Sequence, residues 1–255
     1  MAEQQDLILK VWGEFACFTR PELKVERFSY PVITPSAARA IFDAIYCKPQ
    51  EFRWQVTRVD VLKPVRYIAL RRNEVKDKAP SPQTILEWAE GKKEPTPVWA
   101  DATRELLGSD EKGRTQRQTM ALKDVSYYIY ACIHPWPGFE HGLLAFREQF
   151  RRRASQGKCF YQPYLGCREF SAFFELIDSP NQLEPPCHID LDIGLMLYDV
   201  FDLSQPGKPL DTEHKELPCV SLFRARIEKG VLHVPPYESE AVLKGRRPNH
   251  AGTAG

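Results

Sequence analysis

Between Phe150 and Phe170 the chain reads FRRRASQGKCFYQPYLGCREF, and its residue types and spacing suit the holding of a nucleic acid. Six basic residues (Arg147, Arg151, Arg152, Arg153, Lys158 and Arg168) stand against one acid, Glu148, over residues 147–168. Phe160, Tyr161 and Tyr164 are interleaved with them. Cations of this kind neutralise phosphates, and aromatic faces give unpaired bases something to stack on. On a helix Arg147 and Arg151 lie i, i+4 apart and share a face, while Arg152 and Arg153 splay to either side. The bland alternative is a solvated basic helix followed by core aromatics. Arg20, Lys24 and Arg27 in an early loop, Arg71 and Arg72 after a strand, and Arg114 and Arg117 further on could extend the surface. None is decisive singly, because a charged loop is usually just solvated.

Other chemistries find less support. CHIDLDIG puts His188, Asp190 and Asp192 on one side of an extended segment, a set that could take a divalent ion. A turn with two solvated aspartates explains it equally well, and no metal is expected. There is no G-x-x-x-x-G-K-[ST], G-x-G-x-x-G or G-x-S-x-G. Common nucleotide and acyl-transfer chemistries are therefore disfavoured, and no cofactor is expected. The seven cysteines are odd in number and scattered without a C-x-x-C pair, which argues against a disulfide framework and a structural zinc.

The elements that must position these residues follow from patterning. DLILKVWGEFACF reads as a strand. Thr34 can cap a helix with Pro35 in its first turn, the helix running through SAARAIFDAIYC until Pro49 ends it. FRWQVTRVDVLKPVRYIAL is one strand or two, broken at Pro64. Residues 73–116 form a polar inserted loop with a short helix at PQTILEWAEG. TMALKDVSYYIYACIH is a strand, GLLAFREQFRRRASQ an amphipathic helix, and CREFSAFFELI a strand. CVSLFRARIEKGVLHVPP forms a hairpin turning at Lys229-Gly230.

The order suggests an α+β protein. Residues 1–175 form a ferredoxin-like, RNA-recognition-type domain, and 176–240 a small antiparallel β-sheet. A disordered tail follows over 241–255. The 255 residues, 43% apolar and 27% charged with a net charge of +1, describe an ordinary globular chain. With no long apolar stretch and no secretory signal at its start, the protein is expected in the cytoplasm, away from membranes.

VWGEFACFTRPELKVERFSYPVITPSAARAIFDAIYCKP, RRNEV and FRRRASQGKCFYQPYLGCREF resemble the subtype I-C CRISPR protein of the fifth Cas family, the Dvulg type. Weaker agreement runs through ALKDVSYYIYA and DIGLMLYD, and the likeness covers about residues 7 to 235. The resemblance implies a ferredoxin-like domain with a small C-terminal sheet. It also implies a metal-independent endoribonuclease that cuts CRISPR precursor RNA at a repeat hairpin and keeps the 5′ handle. As partners it implies that RNA and the backbone and large subunits of the type I-C interference complex, with contact to target DNA through the complex left open.

The family's catalytic Tyr falls on Tyr46, and its Lys-His pair, aligned without gaps, falls on Ala145 and Phe146. The nearest replacement is His141, beside Glu140. Tyr46 and His141 are thus the catalytic candidates. Arg20, Lys24, Arg27, Arg71, Arg72, Arg117, Arg151, Arg152, Arg153, Lys158, Phe160, Tyr161 and Arg168 are the candidate RNA contacts. Because general-base catalysis is worth about 10²–10⁴-fold, loss of the pair leaves open a non-catalytic subunit that only binds the handle.

Overall fold

A computed structural model describes residues 6–23, 25–96, 98–99, 113–207 and 219–245. Lys24 lies outside the described residues, as do residues 97 and 100–112 of the expected 73–116 insert and residues 246–255 of the expected tail.

Strand β1 (Leu7–Ala16) enters the core by alternation, with Leu7, Leu9 and Val11 buried and the residues between them half-buried. After a two-residue strand β2 (Arg27–Phe28), helix α1 (Pro35–Ile45) starts as expected. The Thr34 hydroxyl accepts the Ala37 N–H at 3.3 Å, and Pro35 costs nothing in a first turn whose N–H groups lack helical partners. Ala38, Ile41, Phe42 and Ile45 form its buried stripe. The helix stops at Ile45, three residues earlier than Pro49 would require, because Tyr46 adopts extended backbone (φ −153°, ψ 118°). Its carbonyl there accepts the Trp54 indole N–H at 2.8 Å.

The alternating run around Pro64 is two strands, β3 (Phe52–Val61) and β4 (Tyr67–Val75). Strand β5 (Arg114–Pro135) is 22 residues long. Its first part pairs with β4 from Val75↔Arg114 to Tyr67↔Leu122, and its remainder with β1 and β3. Residues 73–75 and 114–116, expected in the loop, are therefore the end of a long hairpin. Helix α2 (Pro82–Ala89) falls in the insert, and none of its residues is buried.

A 3₁₀ turn (Glu140–Gly142) leads into α3 (Leu143–Ser155). Strand β6 is confined to Phe173–Ile177. The preceding residues turn instead, with the Phe170 N–H donating to the Cys167 carbonyl at 2.9 Å. Strands β7 (Leu191–Asp199), β8 (Ser221–Glu228) and β9 (Val231–His233) follow. The β8–β9 turn is the expected Lys229-Gly230, both with positive φ (50° and 81°), the geometry that matches strand twist in a two-residue hairpin. Residues Val242–Lys244, expected in the tail, form β10 on β8.

Among the described residues all ten strands belong to one sheet. Its path is β10-β8-β9-β3-β5-β1-β6, with β7 on β8 and both β2 and β4 on β5, and every pairing but β2–β5 is antiparallel. The C-terminal strands join through β9 on β3. The protein is thus a mixed α/β molecule with a large antiparallel sheet and few helices. Helices α1 and α3 pack on the same face, since Phe42 and Phe150 stack at 5.3 Å and both meet Trp54 of β3, at 4.9 and 4.7 Å. Among the described residues no helix is long and apolar enough to cross a membrane.

Candidate functional site

The residue at the end of α1 packs into a row of aromatic rings. Tyr46 is 7% exposed, and its ring lies 5.5 Å from Phe52. Phe52 in turn packs at 5.1 Å on Phe146 of α3. Phe146, the residue on which the resemblance places the family's histidine, is a buried ring of this aromatic row with no proton to give or take. Burial pushes the Tyr46 phenol above its ordinary value of 10.0, with Lys48 and Arg153 pulling against the shift and Glu51 adding to it. A base at neutral pH is the role this environment disfavours; a proton donor is the one it keeps.

His141 is exposed in its 3₁₀ turn. The segment just before that turn, at Trp136, is fastened to the turn after α1. The Trp136 backbone N–H donates to the Glu51 carbonyl and its indole N–H to the Pro49 carbonyl, each at 2.9 Å. Gly142 beside His141 lies against Phe146, whose ring a Cβ at that position would meet at 2.5 Å. His141 and Tyr46 are therefore carried on two turns packed against the same aromatic row.

The basic-aromatic stretch wraps the same helix end. The Arg153 Nε donates to the Ile45 carbonyl, satisfying the end of α1, and its guanidinium lies 4.2 Å from the Phe160 ring centroid. The Phe160 backbone N–H donates to the Ala44 carbonyl at 2.7 Å, and the Tyr161 hydroxyl reaches the Ala40 carbonyl at 3.5 Å. Phe160 is nevertheless 61% exposed, so the segment presents an aromatic face backed by a cation. Lys158 is exposed beside it.

The arginine triplet does not act as one grip. Arg151 pairs with Asp178 at 3.2 Å, exposed Arg152 donates to the Gln149 side chain at 2.6 Å, and only Arg153 turns to α1.

A second group forms on β2 and the β4–β5 hairpin. Arg27 lies 3.4 Å from Glu169 and 4.0 Å from Glu74. Arg72 pairs with the same two carboxylates, and Arg117 lies 3.9 Å from Glu26. Exposed Arg71 lines a cleft of about 600 Å³ with Arg27, Phe28, Gln116 and Gln118. Arg20 sits on the Tyr30 ring at 4.7 Å, and Arg168 is exposed in the turn before Glu169. Much of this group's charge is thus balanced internally, which spacing in the sequence could not reveal. The Cys17 hydrogen bond, then the Arg27 cation, pull the Cys167 thiol down against its burial. All seven cysteines are free. Asp190 and Asp192 accept backbone N–H groups of Lys229 and Gly194 at 2.8 and 3.0 Å, and no metal-ligating cluster occurs among the described residues.

The PYLGC turn that links the two groups depends on Gly166. Its φ is +84°, and an added Cβ would lie 2.1 Å from the Cys17 carbonyl oxygen. The Cys17 N–H donates to the Leu165 carbonyl at 3.0 Å alongside. Gly166→Ala is expected to lower unfolding free energy by about 2 kcal/mol, the cost of left-handed backbone plus a clash with main chain, as read by urea denaturation.

Two residues escaped the sequence reading. Lys48 and Glu51 stand beside Tyr46, and the Lys48 ammonium meets both Glu51 oxygens at 2.8 and 2.9 Å. The signal was present in the short interval YCKPQE, but only the turn shows that it closes on Tyr46.

Comparison with known proteins completes the picture. Residues 6–235 match the Cas5d family, described as CRISPR-associated protein (Cas_Cas5). The chain is 39% identical over 242 residues to the CRISPR pre-crRNA endoribonuclease Cas5d of Mannheimia succiniciproducens, covering 92% of this chain and 97% of that one. It is 39% identical over 236 residues to the protein of the same name from Thermus thermophilus, covering 90% and 91%. Among solved structures, a CRISPR-associated protein superposes with a TM-score of 0.59 at 19% identity, covering 94% of this chain and 96% of that one. A functionally uncharacterized protein from Streptococcus mutans does so with 0.59 at 18%, covering 94% and 97%. These two likenesses concern the fold. The chain belongs to the Cas5d family of CRISPR-associated proteins.

Proposed function

We propose that this chain is a metal-independent endoribonuclease that binds CRISPR precursor RNA, cuts it at the repeat hairpin and retains the 5′ handle inside the type I-C interference complex in the cytoplasm. The observation that carries the proposal is the convergence at one end of α1 of Tyr46, Lys48 and Arg153 with exposed Phe160, in a chain 39% identical to proteins named pre-crRNA endoribonuclease.

The chemistry needs no cofactor. His141 takes the proton of the 2′-OH beside the scissile phosphate, and the 2′ oxygen attacks phosphorus. The P–O5′ bond breaks, and Tyr46 gives its proton to the leaving 5′ oxygen. The products are a 2′,3′-cyclic phosphate and a 5′-hydroxyl. Arg153, Lys158, Phe160 and Tyr161 hold the RNA next to the cut. Arg20, Arg27, Arg71, Arg72, Arg117, Arg151, Arg152 and Arg168 grip phosphates further along, the internally paired ones by exchanging a carboxylate for a phosphate.

The sheet order β6-β1-β5-β3, with α1 after β1 and α3 after β5, supports a ferredoxin-like arrangement of the N-terminal part. β7 to β10 are then the small C-terminal sheet that resemblance implied, continuous with it through β9.

One observation favours the alternative, a non-catalytic handle-binding subunit: Phe146 is buried where a histidine was expected. Incubating the purified chain with its cognate repeat RNA in excess EDTA separates the two. Cleavage to a cyclic-phosphate end is expected. Salt-sensitive binding with no cleavage would leave only the subunit.

A further inference from the structure

We infer that Lys48 is a further catalytic residue, the cation that meets the charge developing on the scissile phosphate. The inference rests on the endoribonuclease reading above and names the group that reading lacks. In-line attack by a 2′ oxygen gathers charge on the non-bridging phosphoryl oxygens, and a positioned cation is the largest single help available there.

Two cations act on the Tyr46 hydroxyl, Lys48 and Arg153. Arg153 is committed, its Nε on the Ile45 carbonyl and its plane against Phe160. Lys48 is held by a side chain, the Glu51 carboxylate, rather than by main chain. Tyr46 leaves the helix in extended backbone, and Lys48 follows it by two positions with its charge acting on the Tyr46 phenol. The Cys47 thiol between them is governed by burial, then by Asp43 and Arg39.

The Lys48 side chain is 41% exposed. Its ammonium lies 5.4 Å from the centroid of Phe146, whose face attracts a cation without competing for its protons. Its partner is the Glu51 carboxylate on the next turn. That carboxylate parks the ammonium beside Tyr46 until the phosphodiester, whose oxygens accept the same N–H groups and whose charge grows as the 2′ oxygen attacks, takes its place. In the step, the 2′-OH proton leaves to the base, the 2′ oxygen bonds to phosphorus, Lys48 N–H groups meet the non-bridging oxygens, and Tyr46 protonates the departing 5′ oxygen. Lys48 itself keeps its protons throughout.

The test is single-turnover cleavage of repeat RNA in EDTA by Lys48→Met and Lys48→Arg, with affinity read separately on an uncleavable RNA carrying a 2′-deoxy residue at the scissile position. Lys63→Met, which breaks an exposed ion pair to Asp124 remote from Tyr46 in sequence, controls for loss of any surface charge. Expected is a rate about 10²-fold lower for Lys48→Met at nearly unchanged affinity, with Lys48→Arg recovering at least about tenfold. A Lys48→Met rate within about threefold of the unaltered chain overturns the assignment, and so does a loss that appears entirely in affinity. If the unaltered chain does not cut, the endoribonuclease reading falls first and Lys48 with it.

Discussion

Tyr46→Phe is expected to slow cleavage of the repeat RNA by about 10³-fold, within the range that a positioned acid or base supplies, while binding changes little. The substitution removes one oxygen and leaves the ring on Phe52 and the carbonyl under Trp54, so the turn that carries Lys48 keeps its shape. The sign of the pH dependence follows from burial. With the phenol held above 10.0, Tyr46 keeps its proton through neutral and mildly alkaline pH. Its contribution as an acid is fully present below that value and is lost only as pH rises through the raised pKa. A pH–rate profile of the unaltered chain should therefore show no loss of the acid before about pH 10. A falling limb near neutrality that vanishes in Tyr46→Phe would count against the donor role.

The second large effect is structural. Asp199→Ala is expected to lower unfolding free energy by about 3 kcal/mol, because it removes one of the two carboxylates that hold the largely buried Arg39 guanidinium and the acceptor of two backbone N–H groups. Asp199 is 1% exposed and accepts from Arg39 twice, at Nε (2.8 Å) and Nη2 (3.1 Å). It also accepts the backbone N–H groups of Val200 and Phe201 at 2.8 and 3.0 Å. Arg39 would retain Asp43, at 2.6 Å, and the Phe201 ring, 5.6 Å from its guanidinium. This pair ties α1 to the end of β7, and thereby anchors the helix whose last turn delivers Tyr46. Replacing both partners with apolar residues, Arg39→Met with Asp199→Leu, is expected to recover part of the loss, and adding Asp43→Asn more of it, since Asp43 otherwise stays half-buried without its cation. Chemical denaturation of the single, double and triple variants checks both statements. A triple variant as unstable as the single would place the cost in the backbone contacts of Asp199.

Much of the fold was legible from short-range patterning. The alternation in β1, the Thr34-Pro35 start of α1 and the Lys229-Gly230 turn each depend on residues within one element, so local chemistry decides them. Errors fell where a distant partner overrules local preference. Helix α1 stops at Ile45 because a strand residue, Trp54, claims the next carbonyl. β4 and β5 run beyond their apolar segments because each supplies the other's hydrogen bonds across a polar hairpin. Val242–Lys244 is a strand only because β8 offers an edge.

For the site, the sequence by itself determined the residue inventory: a tyrosine where α1 ends, a basic-aromatic stretch suited to RNA, and the absence of the expected Lys-His pair. Those are statements about identity and order, which the chain carries without folding. Tertiary structure alone decided which of them meet. It split the arginine triplet into three directions and balanced the hairpin arginines against Glu26, Glu74 and Glu169. It set Lys48 and Glu51 beside Tyr46. Electrostatic interaction and proton transfer act over a few ångströms, and residues that far apart in space can be tens of positions apart in the chain.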